Sequence, residues 1–240
     1  MMANEQLSSG RPKRFYKTVA VEEVATGFSI VLDGRSVQTP LKSLLSLPTR
    51  SLAELIAEEW DAQLETIDVA KMPLAGFANA AIDRVAAGRA NFVSEIASYA
   101  ETDLLCYRAE EPAALVERQG EVWQPHLDWL ARAKNVRLQT TSGIMHVRQE
   151  EEELKKIWAI VDDRDDFSLT ALHALTTGSG SVILALAVAD GDLTAEEALS
   201  ASELDALFQA ERWGEDPLAV ERRGRLLGEL VQAERFLQFL

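Results

Sequence analysis

Cysteine is almost absent: Cys106 is the only one in 240 residues. A single thiol closes no intramolecular disulfide, so the fold must rest on its own core, and a reducing compartment is the simplest setting. Histidine is nearly as scarce. His126, His146 and His173 are isolated from one another and none falls in an HExxH pattern. With one cysteine, no zinc ribbon or CxxC redox pair can be assembled. Long apolar runs are missing too. The longest, Val182 to Ala189 (VILALAVA), is eight residues, far below the roughly 20 that a membrane-spanning helix requires, and it reads as a buried helical segment. The first ten residues, MMANEQLSSG, hold no apolar stretch of the secretory kind, and no signal peptide is expected. Positive charge is in short supply: 24 Lys and Arg face 39 Asp and Glu, a formal net charge of -15. That field repels phosphate backbones and anionic membrane surfaces, which argues against nucleic acid and membrane partners. It favours a protein partner with a complementary basic patch.

The motifs of common catalytic sites are also wanting. TTGSGS at 176 to 181 is glycine-rich but has no following Lys-Ser/Thr and no preceding strand, so it fails both the P-loop and the dinucleotide fingerprints. Close helix packing or a helix break is the better account of those glycines. Asp162, Asp163, Asp165 and Asp166 lack the central glycine and closing glutamate of a calcium loop and read as a solvated acidic turn. No GxSxG is present, and Cys106 has no histidine near it in sequence. A lone cysteine in an apolar stretch is usually core. No catalytic residue, metal site or cofactor is assigned, and the chain reads as a non-enzyme.

What is present suffices for folding, since 47% of the residues are apolar or aromatic and no staple is needed at this length. Residues 18 to 39 alternate with period two, at Val19 and Val21 and then at Phe28, Ile30 and Leu32. Ala25-Thr26-Gly27 and Asp33-Gly34 mark turns, the second a strong hairpin signal. Leu41 to Pro48 is a short apolar piece, either a cover for this sheet or another strand. Near Pro48 the period becomes helical. Thr49 or Ser51 can cap a helix whose stripe is Leu52, Leu55, Ile56, Trp60 and Leu64. Further helices carry Ile82 and Val85, then Phe92, Val93 and Ile96, then Leu115, Val122, Trp123 and Leu127, with Pro125 as a possible bend. Residues 135 to 149 are ambiguous between short strands and an irregular connection. Glu150 to Ile160 is helical, its glutamates favouring the positive end of the helix dipole. A break at Gly178-Ser179-Gly180 precedes VILALAVA. Thr194 with Glu197 forms a capping box for one helix through Leu199, Leu204, Leu207 and Phe208, and a last helix starts near Asp216. The fold class is therefore α+β: a small N-terminal β-rich domain at 13–48, then a larger, mainly α-helical domain at 49–240.

Two surface features stand out. RPKRFYK at 11 to 17 is the only dense basic cluster and reads as an arm lying against the protein's own acids. Trp123, Trp129, Trp158 and Trp213 sit in acidic helical segments, where they serve either as core or as interface anchors.

Ordered blocks make the sequence recognisable. KRFYK (13–17), LDGR (32–35), TP (39–40), EW (59–60), Gln63 and MPL (72–74) open the pattern. TDLLCYR (102–108) with Pro112, Gln119, Trp123, Pro125 and Trp129 forms its middle. ALAVADGDLTAEEA (185–198) and ELDALFQAERWGED (203–216) close it. In these blocks the chain resembles the ATP12 family, assembly chaperones for the F1 part of ATP synthase. The resemblance implies a β-rich N-terminal domain, a helical C-terminal domain, no cofactor and a free α subunit of F1 as partner. The chaperone would shield the β-facing surface of α until α3β3 assembles, and would then be displaced by the β subunit. It implies a cytoplasmic bacterial member, monomeric when free; eukaryotic relatives act in the mitochondrial matrix. It places a functionally important carboxylate near Glu203 and Asp205, where relatives often carry Glu at the second position, with Gln209 and Trp213 alongside. These four residues are the candidate partner-binding site. The alternative is an enzyme of unrecognised class with a pocket between its two domains.

Overall fold

The computed structural model describes residues 11–143 and 145–240. Its first hairpin joins β1 (Val19–Val24) to β2 (Gly27–Leu32) in antiparallel register from Val19 opposite Leu32 to Val24 opposite Gly27. Asp33 and Gly34, both at positive φ (47° and 79°), turn the chain into β3 (Arg35–Ser36), as an Asp-Gly pair does in a tight hairpin. After a bridge between Gln38 and Leu44, β4 (Ser46–Leu47) returns to pair with Phe28 and Ser29 of β2. The piece at 41–48 thus supplies a short strand. β2 lies at the centre of this sheet, and Ile30, Val31 and Leu32 are buried. Gly27 has φ of 134°, and a Cβ there would fall 2.2 Å from the Leu47 carbonyl oxygen. Gly27→Ala should therefore separate β4 from β2 and destabilise the protein by about 2–3 kcal/mol, read as a lowered urea midpoint.

Strand gives way to helix where the periodicity changes. Helix α1 (Arg50–Asp61) is capped by Thr49, whose hydroxyl accepts from the Leu52 amide at 3.2 Å, and Leu52, Ala53 and Ile56 are buried toward β1 and β2. Leu64 does not belong to this stripe. The helix stops at Asp61, and Leu64 is 82% exposed, because the chain there turns to pair with the N-terminal arm through Lys13 and Thr66. That arm does lie on acidic residues: Arg11 pairs with Asp68 at 2.9 Å and Arg14 with Asp61 at 3.0 Å. Helix α2 (Pro73–Ala80) opens on a proline in its first turn and runs into a wider π turn at Ala81–Val85. Asp83 in that turn accepts from Thr39 Oγ1 and the Leu41 amide. Helix α3 (Ala86–Ser98) is kinked at Gly88 (φ -120°, ψ 22°). There the chain divides into two compact units, the first ending at Ala87 but taking back Phe239–Leu240, the second comprising Gly88–Gln238.

In the second unit, β5 (Tyr107–Arg108) precedes α4 (Ala113–Ala133) and pairs in parallel with β6 (Thr141–Ser142), which among the described residues is the one regular piece of the ambiguous stretch. Pro125 neither ends nor restarts α4. Helix α5 (Glu151–Asp162) has three glutamates in its first turn, and α6 (Asp166–Ser179) ends on Gly180 in the left-handed conformation. The acidic turn between them is more than solvated. Asp165 caps α6, while Arg89 ion-pairs with Asp166 at 2.8 Å and donates to the carbonyls of Asp162 and Arg164. Helix α7 (Val182–Ala189) is buried from Val182 through Val188, which explains apolar residues all round it. Helix α8 (Ala195–Ser202) starts at the Thr194–Glu197 capping box. Contrary to the single helix expected here, it stops, and α9 (Leu204–Trp213) begins after Glu203, whose ψ of 10° redirects the chain. Helix α10 (Pro217–Gln238) packs along α6. No helix among the described residues is long and apolar enough to cross a membrane.

Candidate partner-binding site

The middle and last sequence blocks meet in the second unit. Asp103 of TDLLCYR is fully buried. Its carboxylate accepts from Ser181 Oγ at 2.9 Å, from the Ile183 amide at 3.2 Å and from the Leu105 amide at 3.1 Å, anchoring this segment to the start of α7. Burial pushes the Asp103 carboxyl up to about 6, against the pull of those hydrogen bonds. Cys106 is buried too. Burial first, and the nearby Asp103 second, push its thiol up to about 12, so it behaves as an inert core residue.

Arg108 places its guanidinium 5.2 Å from the centre of the Trp123 ring and donates to the Gln119 carbonyl. Gln119, buried on α4, is the hub of the site. Its Oε1 accepts from the Ala109 amide and its Nε2 donates to Asp205 Oδ1, each at 2.7 Å. Trp123, one turn further on, is buried and donates through Nε1 to the Ala201 carbonyl at 2.8 Å. These contacts fix α4 against the junction of α8 and α9.

The four predicted residues separate into two kinds. Glu203 sits at the junction, and its carboxylate accepts from Arg222 of α10 at 2.8 and 2.9 Å. Asp205 points inward to Gln119. Gln209 and Trp213 lie on α9 at four-residue steps from Asp205 and are exposed, Trp213 at 78%. The opposite side of α9 is anchored by Phe208, which is buried with the guanidinium groups of Arg212 and Arg118 4.1 and 5.1 Å from its ring centre. Gly214, at φ 92°, turns the chain into α10, where Leu218 (73% exposed) and Val220 also present apolar side chains to solvent. Beside α9, a groove of about 490 Å³ runs between α4 and α8, lined by Val122, Leu204 and Leu207 and edged by Arg118, His126 and Glu211. Sequence reasoning missed the Gln119–Asp205 bond, which joins residues 86 positions apart, and did not single out Leu218 and Val220, which are exposed. Among the described residues, no group of three or more His, Cys, Asp or Glu converges on a possible metal position.

Solved structures share this architecture. Atp12 from Paracoccus denitrificans superposes with a TM-score of 0.93 at 42% identity, covering 95% of this chain and 98% of that one. The Atu1473 protein of Agrobacterium tumefaciens gives 0.90 at 42% identity, covering 95% and 86% respectively. The mitochondrial protein atp12 of Schizosaccharomyces pombe is 26% identical over 214 residues, 84% of this chain and 74% of the relative. The description "ATP12 chaperone protein" matches residues 13–131. The fold is that of an assembly chaperone. The chain belongs to the ATP12 family, as a bacterial member.

Proposed function

We propose that this chaperone is non-catalytic, captures the free α subunit of F1 ATP synthase and covers its β-facing surface until α3β3 forms. The observation that carries the reading is the corner between α9 and α10. Trp213, Leu218 and Val220 present apolar surface to solvent there, with Gln209 on the same helix and the acids Glu203 and Asp205 held near its start. An exposed apolar patch marks an interaction surface, and fixed acids steer encounter while leaving the complex displaceable. Release by competition from the β subunit needs no nucleotide hydrolysis. The chaperone would act in the bacterial cytoplasm and be monomeric when free.

The test is a pull-down against separately expressed α and β subunits, with β added as competitor. Capture of α alone, lost when β is supplied, is expected; no capture of folded α overturns the reading. Within the site, Glu203→Gln combined with Asp205→Asn should weaken α capture about tenfold. The fold should survive, because the amide that replaces the Asp205 carboxylate keeps an oxygen for Gln119. Isothermal titration of the double variant checks this, and unchanged affinity in a folded protein removes the acids from the site.

A further inference from the structure

The first unit carries a second surface built to take a chain. β1 is an edge strand: β2 pairs with one side, and among the described residues no strand pairs with the other. In an antiparallel ladder, successive residues direct their amide and carbonyl to opposite sides. The Asp33 amide donates to the Thr18 carbonyl, so Thr18, Ala20 and Glu22 face β2. Val19, Val21 and Glu23 therefore offer their backbone groups to the free edge. Beside this edge lies a groove of about 710 Å³, with Val19, Ala20 and Val21 on one wall and α1 on the other.

The charge in the groove is predominantly acidic, although Arg50 is also on its lining. Glu54, Glu58 and Asp61 stand at successive turns of α1 and line it. Arg50 reaches Glu54 at 3.9 Å and Arg14 reaches Asp61 at 3.0 Å, while Glu58 has no ion-pair partner among the described residues. Glu22 and Glu23 add two exposed acids at the strand's far end. Charges on an edge strand ordinarily keep other strands away. An excess of acids does so selectively: it rejects acidic strands and attracts basic ones.

We propose that β1 and α1 form a docking groove for an extended segment of another protein carrying Lys or Arg at alternate positions, which adds to the sheet as a strand beside β1. Main-chain bonds to Val19, Val21 and Glu23 supply the affinity, and the acidic wall selects the side chains, as in other strand-addition modes. The chain's own residues 1–10 contain no Lys or Arg and lack the complementary charge.

The test uses the full chain and two short capped peptides, one alternating Lys and Val and the other Glu and Val, followed by fluorescence anisotropy and amide NMR. Only the basic peptide should bind, and the Val19, Val21 and Glu23 amides should shift. Val21→Pro deletes an outward amide without touching the β2 ladder and should weaken binding at least about tenfold. Equal binding of both peptides, or undiminished binding to a folded Val21→Pro protein, overturns the proposal. Should that variant not fold, Glu54→Gln with Glu58→Gln decides, since unchanged affinity there rejects the acidic wall. Binding that emerges only when residues 1–10 are removed would overturn the choice of occupant.

Discussion

Asp103→Ala should destabilise the second unit by about 3–5 kcal/mol, enough to leave much of it unfolded at physiological temperature. The substitution strands the Leu105 and Ile183 amides and the Ser181 hydroxyl, all buried donors that now share one carboxylate. Circular dichroism melts and hydrogen exchange at α7 would register the loss, and a melt within about a degree of the parent would reject the anchoring role. The same carboxylate sets a pH dependence. Its folded pKa of about 6 lies above the ordinary value of 3.8, so between these values the native state holds a proton that the unfolded chain has released. The stability contributed by that proton is full below about pH 4 and is lost as pH rises through 6, a swing of about 3 kcal/mol. Exposed acids such as Glu211 and Glu197, whose pKa values hydrogen bonds lower, slope the opposite way. The informative quantity is thus the difference between the parent and Asp103→Asn. That difference should shift in the variant's favour between about pH 4 and 6, whereas a constant offset would mean that Asp103 does not titrate in this range.

Trp213→Ala is expected to lower affinity for the α subunit by about 2–4 kcal/mol, roughly 30- to 1000-fold, while leaving the fold intact. The side chain is mostly in solvent, so its removal opens no cavity and should move the thermal midpoint by no more than about 2 °C. The contrast with Trp123 is instructive. That ring is buried and hydrogen-bonded to the Ala201 carbonyl, and truncating it would unfold rather than disarm the chaperone. Titration of labelled α subunit with Trp213→Ala and Trp213→Phe separates ring contact from mere bulk. Full affinity in both variants would move the interface away from the α9–α10 corner.

Much of the architecture could be read along the chain because its signals are local. Asp33-Gly34 turns the hairpin where its tolerance of positive φ requires, Thr194 and Glu197 cap α8, and Gly180 closes α6. The junction at Glu203 could not be read, because Ala201-Ser202-Glu203-Leu204 contains neither Gly nor Pro and its apolar spacing continues as if one helix ran through. Leu64 misleads for a related reason: it keeps helical register with Trp60, yet pairing with the N-terminal arm takes the chain out of the helix first. The supports of the site were hidden by distance. Ser181 is 78 positions from Asp103, and no local pattern announces a bond across that span. The site residues themselves were reached through family resemblance, while their division into acids bonded within the protein and outward Gln209 and Trp213 depends on how α4 and α10 pack.

The return of Phe239–Leu240 to the first unit makes that unit discontinuous in the chain, with the 151 residues Gly88–Gln238 intervening. Thr49, which caps α1, also donates to the Phe239 carbonyl, so one piece of the first unit waits on a segment made long after the rest. Closing so long a loop of unfolded chain carries an entropic penalty that grows with its length. Once the second unit has folded, the intervening residues act as a single rigid link and that penalty falls. The topology therefore favours an order of events in which the helical unit matures first and the β-rich unit is sealed last.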